Sequence, residues 1–314
     1  MSRHSTKLKR RGTATPKTAI IASIAGDFLV AATKLTASVL TNSSAMMSEA
    51  IHSLVDTGNG FLMLYGIRQS RKPADECHQF GYGRELYFWS LMVAVGVFAV
   101  GGGVSIYEGV LRLSRPVAIE NPQWNYAVLA VSFVFESTSW YFGWQAFRPT
   151  KKNKTIFQTV RTSKDPTTFT VLLEDSIAVA GLLIAFFGIF LENLFDIQYF
   201  DGLASILIGL LLCLVALVMG YETKELIIGE TVDEETLKGI RQIVESEPHV
   251  EEILNVRTTH IGPNDVALGL ELRYAKGASA AEVNRAIRRI EKNVRAEYPI
   301  VKSVLYAPGS LSEN

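Results

Sequence analysis

The sequence predicts a membrane protein in two parts, an all-α domain of six transmembrane helices followed by a small two-layer α+β domain. Three observations carry this. Apolar residues make up 48 % of the chain, and most of them lie before position 221 in blocks long enough to cross a bilayer. Basic residues collect in alternate connections between those blocks. After Gly220 the texture changes to amphipathic and alternating patterns typical of a globular domain.

A bilayer core takes roughly 20 mostly apolar residues per helix. Spans are expected at 18–40, 44–66, 86–110, 123–147, 168–190 and 200–220. Thr41, Asn42 and Ser43 form the short polar turn between the first two, and Pro116, Pro122 and Pro166 punctuate later connections. The segment 1–17 is basic and polar, with no apolar run, and reads as a cytoplasmic tail rather than a cleaved signal peptide.

Orientation follows from loop charge. Arg3, Lys7, Lys9, Arg10, Arg11 and Lys17 lie in the tail, and Arg68, Arg71, Lys72 and Arg84 follow the second span. Arg148, Lys151, Lys152, Lys154, Arg161 and Lys164 follow the fourth, whereas the opposite loops carry only Arg112 and Arg115. The positive-inside rule places both termini in the cytoplasm.

In the second part (221–308), Leu237, Ile240, Ile243 and Val244 share one face of a helix expected over 232–247. A strand is expected from Val250 to Thr259. Val266, Leu268, Leu270, Leu272 and Tyr274 alternate with smaller or more polar residues, the period of a half-buried strand. Ser279 and Glu282 fit a capping box, opening a helix with Val283, Ile287, Ile290 and Val294 at helical spacing. A last strand runs from Ile300 to Tyr306, before a polar tail at 309–314. The order is α-β-β-α-β.

Ionisable residues inside spanning helices are costly and each needs a reason. The second span carries Glu49, His52 and Asp56, at spacings of three and four that place them along one stripe. The fifth carries Glu174 and Asp175, the fourth Glu136, and the first Asp27 and Lys34. An imidazole and a carboxylate on one helix face, met by a carboxylate from another helix, suit a tetrahedral Zn²⁺ site. Imidazole favours a transition metal over Mg²⁺ or Ca²⁺. The competing reading, interhelical hydrogen bonding, stands beside it for Asp27, Lys34, Glu49 and Glu136. Cys77 and Cys213 are far apart and predict no disulfide.

These motifs resemble the cation diffusion facilitator (cation efflux) family. Ser48 to Asp56 (SEAIHSLVD) resembles its second-helix metal motif, and Asp75 to Arg84 (DECHQFGYGR) the cytoplasmic loop that follows. Val171 to Asp175 (VLLED) resembles the fifth-helix motif of the branch typified by zinc transporter 9, and Arg257 to Pro263 (RTTHIGP) the family's cytoplasmic domain. The resemblance runs from about 18 to 308. It implies a homodimer with a ferredoxin-like cytoplasmic domain over 221–308. It further implies export of a divalent metal, with Zn²⁺ the expected transported substrate, in exchange for protons through the six-helix domain at 18–220. His52, Asp56 and Asp175 fall on the transport-site positions. Many members have His or Asp where Val171 stands, so the fourth ligand stays open between Glu174, Glu136 and water. Asp75 and His78 match a loop metal site, with Tyr82 where some members have His and with Glu76 or Cys77 as substitutes. His260 keeps a metal position of the cytoplasmic domain, while Tyr306-Ala307-Pro308 lacks its His and Asp.

The 31 basic and 31 acidic residues cancel, so charge implies no nucleic-acid partner. Neither an HExxH, a GxSxG nor a phosphate-binding loop is present, against a membrane hydrolase or an ATP-driven pump. A secondary transporter working by alternating access is expected, without an organic cofactor, in the lipid bilayer of the plasma (inner) membrane. Iron, manganese or cobalt as cargo, and a non-transporting metal-binding scaffold of the same fold, are the alternatives.

Overall fold

A computed structural model describes residues 16–151 and 164–308. The basic tail up to residue 15, most of the Lys151–Lys164 connection and the tail at 309–314 lie outside the described residues.

The helices are α1 (Pro16–Thr41), α2 (Ser44–Ser70), α3 (Glu85–Gly96), α4 (Gly103–Ser114), α5 (Pro122–Lys151), α6 (Pro166–Phe195) and α7 (Tyr199–Ile228). A π-helical stretch, Val97–Gly102, joins α3 to α4, so Glu85–Ser114 is one unbroken helix. Local chemistry sets the limits. Pro122 and Pro166 stand first in α5 and α6, where a missing N–H costs nothing. Asn42 (φ 55°), Asp196 (φ 57°) and Gly229 (φ 113°) follow α1, α6 and α7 in the left-handed region that terminates helices. The segments marked out in the sequence lie within these helices, and α7 continues to Ile228, eight residues past its expected end.

By length and composition, three stretches among the described residues can cross a membrane: Glu85–Ser114, Phe169–Phe195 and Tyr199–Ile228. Helices α1, α2 and α5 have comparable length, at 26, 27 and 30 residues. In α2 polar residues dilute the apolar content. Ser48, Glu49, His52, Ser53, Thr57 and Asn59 are buried, while Leu54, Phe61 and Tyr65 are exposed.

The chain divides into two compact units, Met1–Phe61 with Val100–Val134 and Ala180–Leu210, and Leu62–Ala99 with Phe135–Val179 and Leu211–Asn314. In the first, α4 and α7 approach to backbone contact. A Cβ on Gly109 would stand 2.7 Å from the Gly202 carbonyl oxygen, and one on Gly209 would stand 2.8 Å from that of Gly102. Asp201 of α7 is fully buried and serves the start of α2. Its carboxylate accepts from the backbone N–H of Ser44 (2.6 Å) and Ala45 (3.1 Å) and from the hydroxyls of Ser43 and Ser44. Helix N-termini leave such N–H groups unpaired and favour negative charge. Arg112 Nε pairs with the same carboxylate at 3.3 Å, and Glu192 accepts from the Asp201 backbone N–H.

The second unit holds the C-terminal domain: α8 (Glu234–Glu245), β1 (Val250–Gly262), β2 (Asp265–Tyr274), α9 (Ala280–Glu297) and β3 (Val301–Pro308). β1 pairs antiparallel with β2, and β2 pairs parallel with β3 across the α9 crossover. The alternation read in β2 is realised. Val266, Leu268, Leu270 and Leu272 are fully buried with Ile240, Val244, Ile290 and Val294 from the two helices. Burial of such side chains stabilises by about 1.5–3 kcal/mol each. The Ser279–Glu282 capping box is present in both directions. Elsewhere in this unit Tyr87, Phe169, Leu172 and Leu226 form a separate core. The segment after α7 is pinned to β1, with His260 N–H donating to the Glu230 carbonyl at 2.9 Å.

Candidate metal centre

Helix geometry places His52 and Asp56 one turn apart on α2, and the side chains meet, with Nε2 and Oδ2 3.5 Å apart. His52 is buried to 1 % exposure, and among the described residues neither ring nitrogen has a hydrogen-bond partner. A buried polar atom without a partner costs about 1–3 kcal/mol and calls for an explanation. Two nitrogen lone-pair or N–H positions held in this way suit a group that binds an incoming ligand. Asp56 is partly open, its side chain 23 % exposed.

One turn before His52, Glu49 is fully buried and paired with Lys34 of α1, Nζ to Oε2 at 3.0 Å. Lys34 also donates to Ser53 Oγ at 2.8 Å. The Glu49 carboxylate packs onto α6 where Gly181 leaves no Cβ to displace it. For Lys34 and Glu49 the packing reading is therefore realised as a buried ion pair, the kind that is costly to break by removing one partner.

On α6, Asp175 Oδ2 accepts from the Ser139 hydroxyl of α5 at 3.0 Å. One turn along α5, Gly143 leaves the same oxygen room, since a Cβ there would stand 3.4 Å away. Trp140 donates its indole N–H to Ser176 beside it, at 3.0 Å. Glu174 and Glu136 are half-buried, and Val171 is exposed at 46 %. Among the described residues, no group of three His, Cys, Asp or Glu side chains is gathered to hold a metal ion. The structure thus joins His52 to Asp56 as a pair, and describes Asp175 with a hydroxyl partner.

The loop after α2 uses its acid differently. Asp75 Oδ1 accepts from the N–H of Cys77 (3.0 Å) and of His78 (2.7 Å), and Oδ2 accepts from the Tyr82 hydroxyl at 2.7 Å. The His78 ring stacks at a tilt on Tyr82, 4.2 Å between centroids, with Nδ1 3.6 Å from Asp75 Oδ1. The Tyr82 hydroxyl and two amides hold the Asp75 carboxyl below its ordinary range, and Asp75 in turn pushes Tyr82 up to about 12. His260 lies in β1, buried at 3 %, and burial lowers its pKa while the Gly262 carbonyl opposes. Its chain neighbours Ile261 and Gly262 lie against Gly83, at the end of the Asp75–Arg84 loop.

Sequence reasoning missed Asp201, Arg112 and Glu192 as a buried set, and read Arg112 as a loop charge. The available signal was an acid in the first turn of an otherwise apolar helix.

Residues 20–228 match the cation efflux transmembrane domain. The chain belongs to the cation efflux family. Residues 232–306 match the cytoplasmic domain of cation efflux proteins. Among the relatives is the "Proton-coupled zinc antiporter SLC30A9, mitochondrial" of Xenopus laevis, 35 % identical over 243 residues, covering 77 % of this chain and 44 % of that protein. The chain thus spans less than half the length of that relative. "Metal tolerance protein C4" of Arabidopsis thaliana is 28 % identical, over 85 % of this chain and 61 % of that protein. "Cation-efflux pump FieF" of Serratia proteamaculans is 26 % identical, over 82 % and 81 %. Membership in this family and the apolar helices make the chain a membrane protein.

Proposed function

We propose that this cation efflux protein exports a divalent transition-metal ion, with Zn²⁺ as cargo, in exchange for protons. The observation that carries the reading is His52, buried beside Asp56 with both ring nitrogens unbonded. Asp175 completes the ligand set from α6, with Glu174, Glu136 or water as the fourth donor. The two carboxylates offset the charge of a divalent ion, which lowers the cost of holding it away from water. Protons compete for the same groups, since ligands bind metal only when deprotonated. Facing inward the site loads metal, and facing outward it exchanges metal for protons. The name of the Xenopus relative, a proton-coupled zinc antiporter, supports cargo and coupling.

The reading takes α1, α2, the Glu85–Ser114 helix, α5, α6 and α7 as six spans. The buried polar and exposed apolar residues of α2 support counting it. Membrane and cytoplasmic domains divide near the end of α7, and the α-β-β-α-β order is read as ferredoxin-like. Loop charge supports cytoplasmic termini, and the cytoplasmic domain supports a homodimer. Residence is proposed in the plasma (inner) membrane; the mitochondrial setting in the name of the Xenopus relative is that protein's own. The loop pair Asp75 and His78 and the lone His260 are proposed as accessory metal positions only.

Metal-by-metal uptake into proteoliposomes carrying an internal pH dye tests this. Zinc flux with counterflow of protons is expected. Preference for iron, manganese or cobalt would change the cargo, in keeping with a single imidazole in the ligand set. The absence of a ligand at Val171 favours one rival, a non-transporting metal-binding scaffold. Metal binding without flux of any metal would establish it and end the transport reading.

A further inference from the structure

Lys34 has no part in metal binding by charge, yet it is fully buried against Glu49 and Ser53, which flank His52 on α2. Its ammonium is fixed between Glu49 Oε2 at 3.0 Å and Ser53 Oγ at 2.8 Å. Ser53 follows His52 in the chain, and Glu49 precedes it by one turn. Glu49 is itself confined against the backbone of α6 at Gly181. The first unit therefore holds one fixed positive and one fixed negative charge beside the His52–Asp56 pair.

Building on the transport reading above, we propose that Lys34 and Glu49 are a charge-balancing pair that sets metal affinity. With Lys34 in place, Glu49 is neutralised and adds no net charge to that of the ligand set. The ligand carboxylates already balance a divalent ion. A further uncompensated carboxylate nearby would hold the ion more tightly, because buried charges are weakly screened. An uncompensated ammonium would repel it. Release requires moderate affinity, so the pair favours turnover. Lys34 is a tuning residue, touching neither metal nor proton in this scheme.

The two single substitutions are expected to shift affinity in opposite directions. In purified full-length protein in mild detergent, Zn²⁺ affinity is measured by calorimetry, with flux measured in proteoliposomes. Lys34→Gln should tighten Zn²⁺ binding and lower KM, by about tenfold, the scale of outer-shell effects on metal sites. The maximal rate should fall with it. Glu49→Gln should weaken binding by about the same factor. The Lys34→Gln/Glu49→Gln double variant should return close to wild type. If Lys34→Gln does not fold, the remaining comparison still decides, because the double variant must bind more tightly than Glu49→Gln. A purely structural pair would lower thermal stability and leave affinity within about twofold, or move both single variants the same way, and either result overturns the inference. Metal-binding wild type with unshifted variants overturns the inference alone. Wild type that binds no metal overturns the proposed function and the inference together.

Discussion

Two acid–histidine pairs, four and three residues apart, occupy opposite conditions. On α2, His52 is buried and its ring nitrogens carry no hydrogen bond, with Asp56 at 3.5 Å. In the loop, Asp75 is exposed and both its oxygens are taken by neighbours of the same loop. The difference lies in the surroundings. Inside helix packing no local donor reaches the α2 imidazole, whereas a tight loop supplies amides two and three residues on, the usual turn chemistry of Asp. Residue type alone nominates both pairs, but among the described residues it is His52 that keeps its ring nitrogens free of hydrogen bonds.

The sharpest way to break this comparison is by substitution. His52→Ala, Asp56→Ala and Asp175→Ala should each abolish flux, while Asp75→Asn and His78→Ala leave most of it. Vesicle uptake of folded variants measures this, and wild-type flux in Asp175→Ala would remove α6 from the site. Next in size is the fourth ligand. If Glu174 serves, Glu174→Gln should lower zinc affinity by about ten- to hundredfold. If it packs, the change should be slight, and Val171→His should then tighten zinc over manganese, read by competition binding.

Smaller effects sharpen the loop side. Tyr82→Phe removes the foremost cause of the Asp75 shift and should move its pKa up toward the ordinary 3.8. The sign follows from linkage. A carboxyl depressed in the folded loop contributes order above its unfolded value and loses it as pH falls through the folded one. Loss of loop order should therefore begin at higher pH in Tyr82→Phe, followed by carboxyl NMR. His260 gives the smallest effect. Burial lowers its pKa, so the fold disfavours its protonation, and stability should decline as pH drops below the ordinary 6.5. A His260→Asn protein should lack that decline in thermal unfolding across the same range.

What the sequence made legible was whatever repeats locally. The β2 alternation, the Ser279–Glu282 box and Pro166 as a helix start are each written within a few residues, and each appears in the structure. The His52–Asp56 pair was legible because helical spacing is itself a contact rule. Contacts made by packing were not. Lys34 and Glu49 are 15 residues apart and meet only once α1 lies on α2. Asp201 reaches Ser44 across 157 residues, so its role as a cap for α2 has no local signature. Arg112 looked like a loop charge because nothing near it in sequence predicts a buried carboxylate partner.

The π-helical stretch Val97–Gly102 carries a consequence for how one rod presents two surfaces. A π turn accommodates an additional residue, which shifts the angular phase of everything beyond it. Before it, Leu86, Tyr87, Ser90, Val93 and Ala94 form the buried stripe. After it, Gly109 meets α7 at backbone distance. Removing one residue from the stretch would relax it to ordinary helix and shift the helical phase of the residues after it by about 100°. Gly109 would then no longer face the Gly202 carbonyl, although not a single contact residue had been changed.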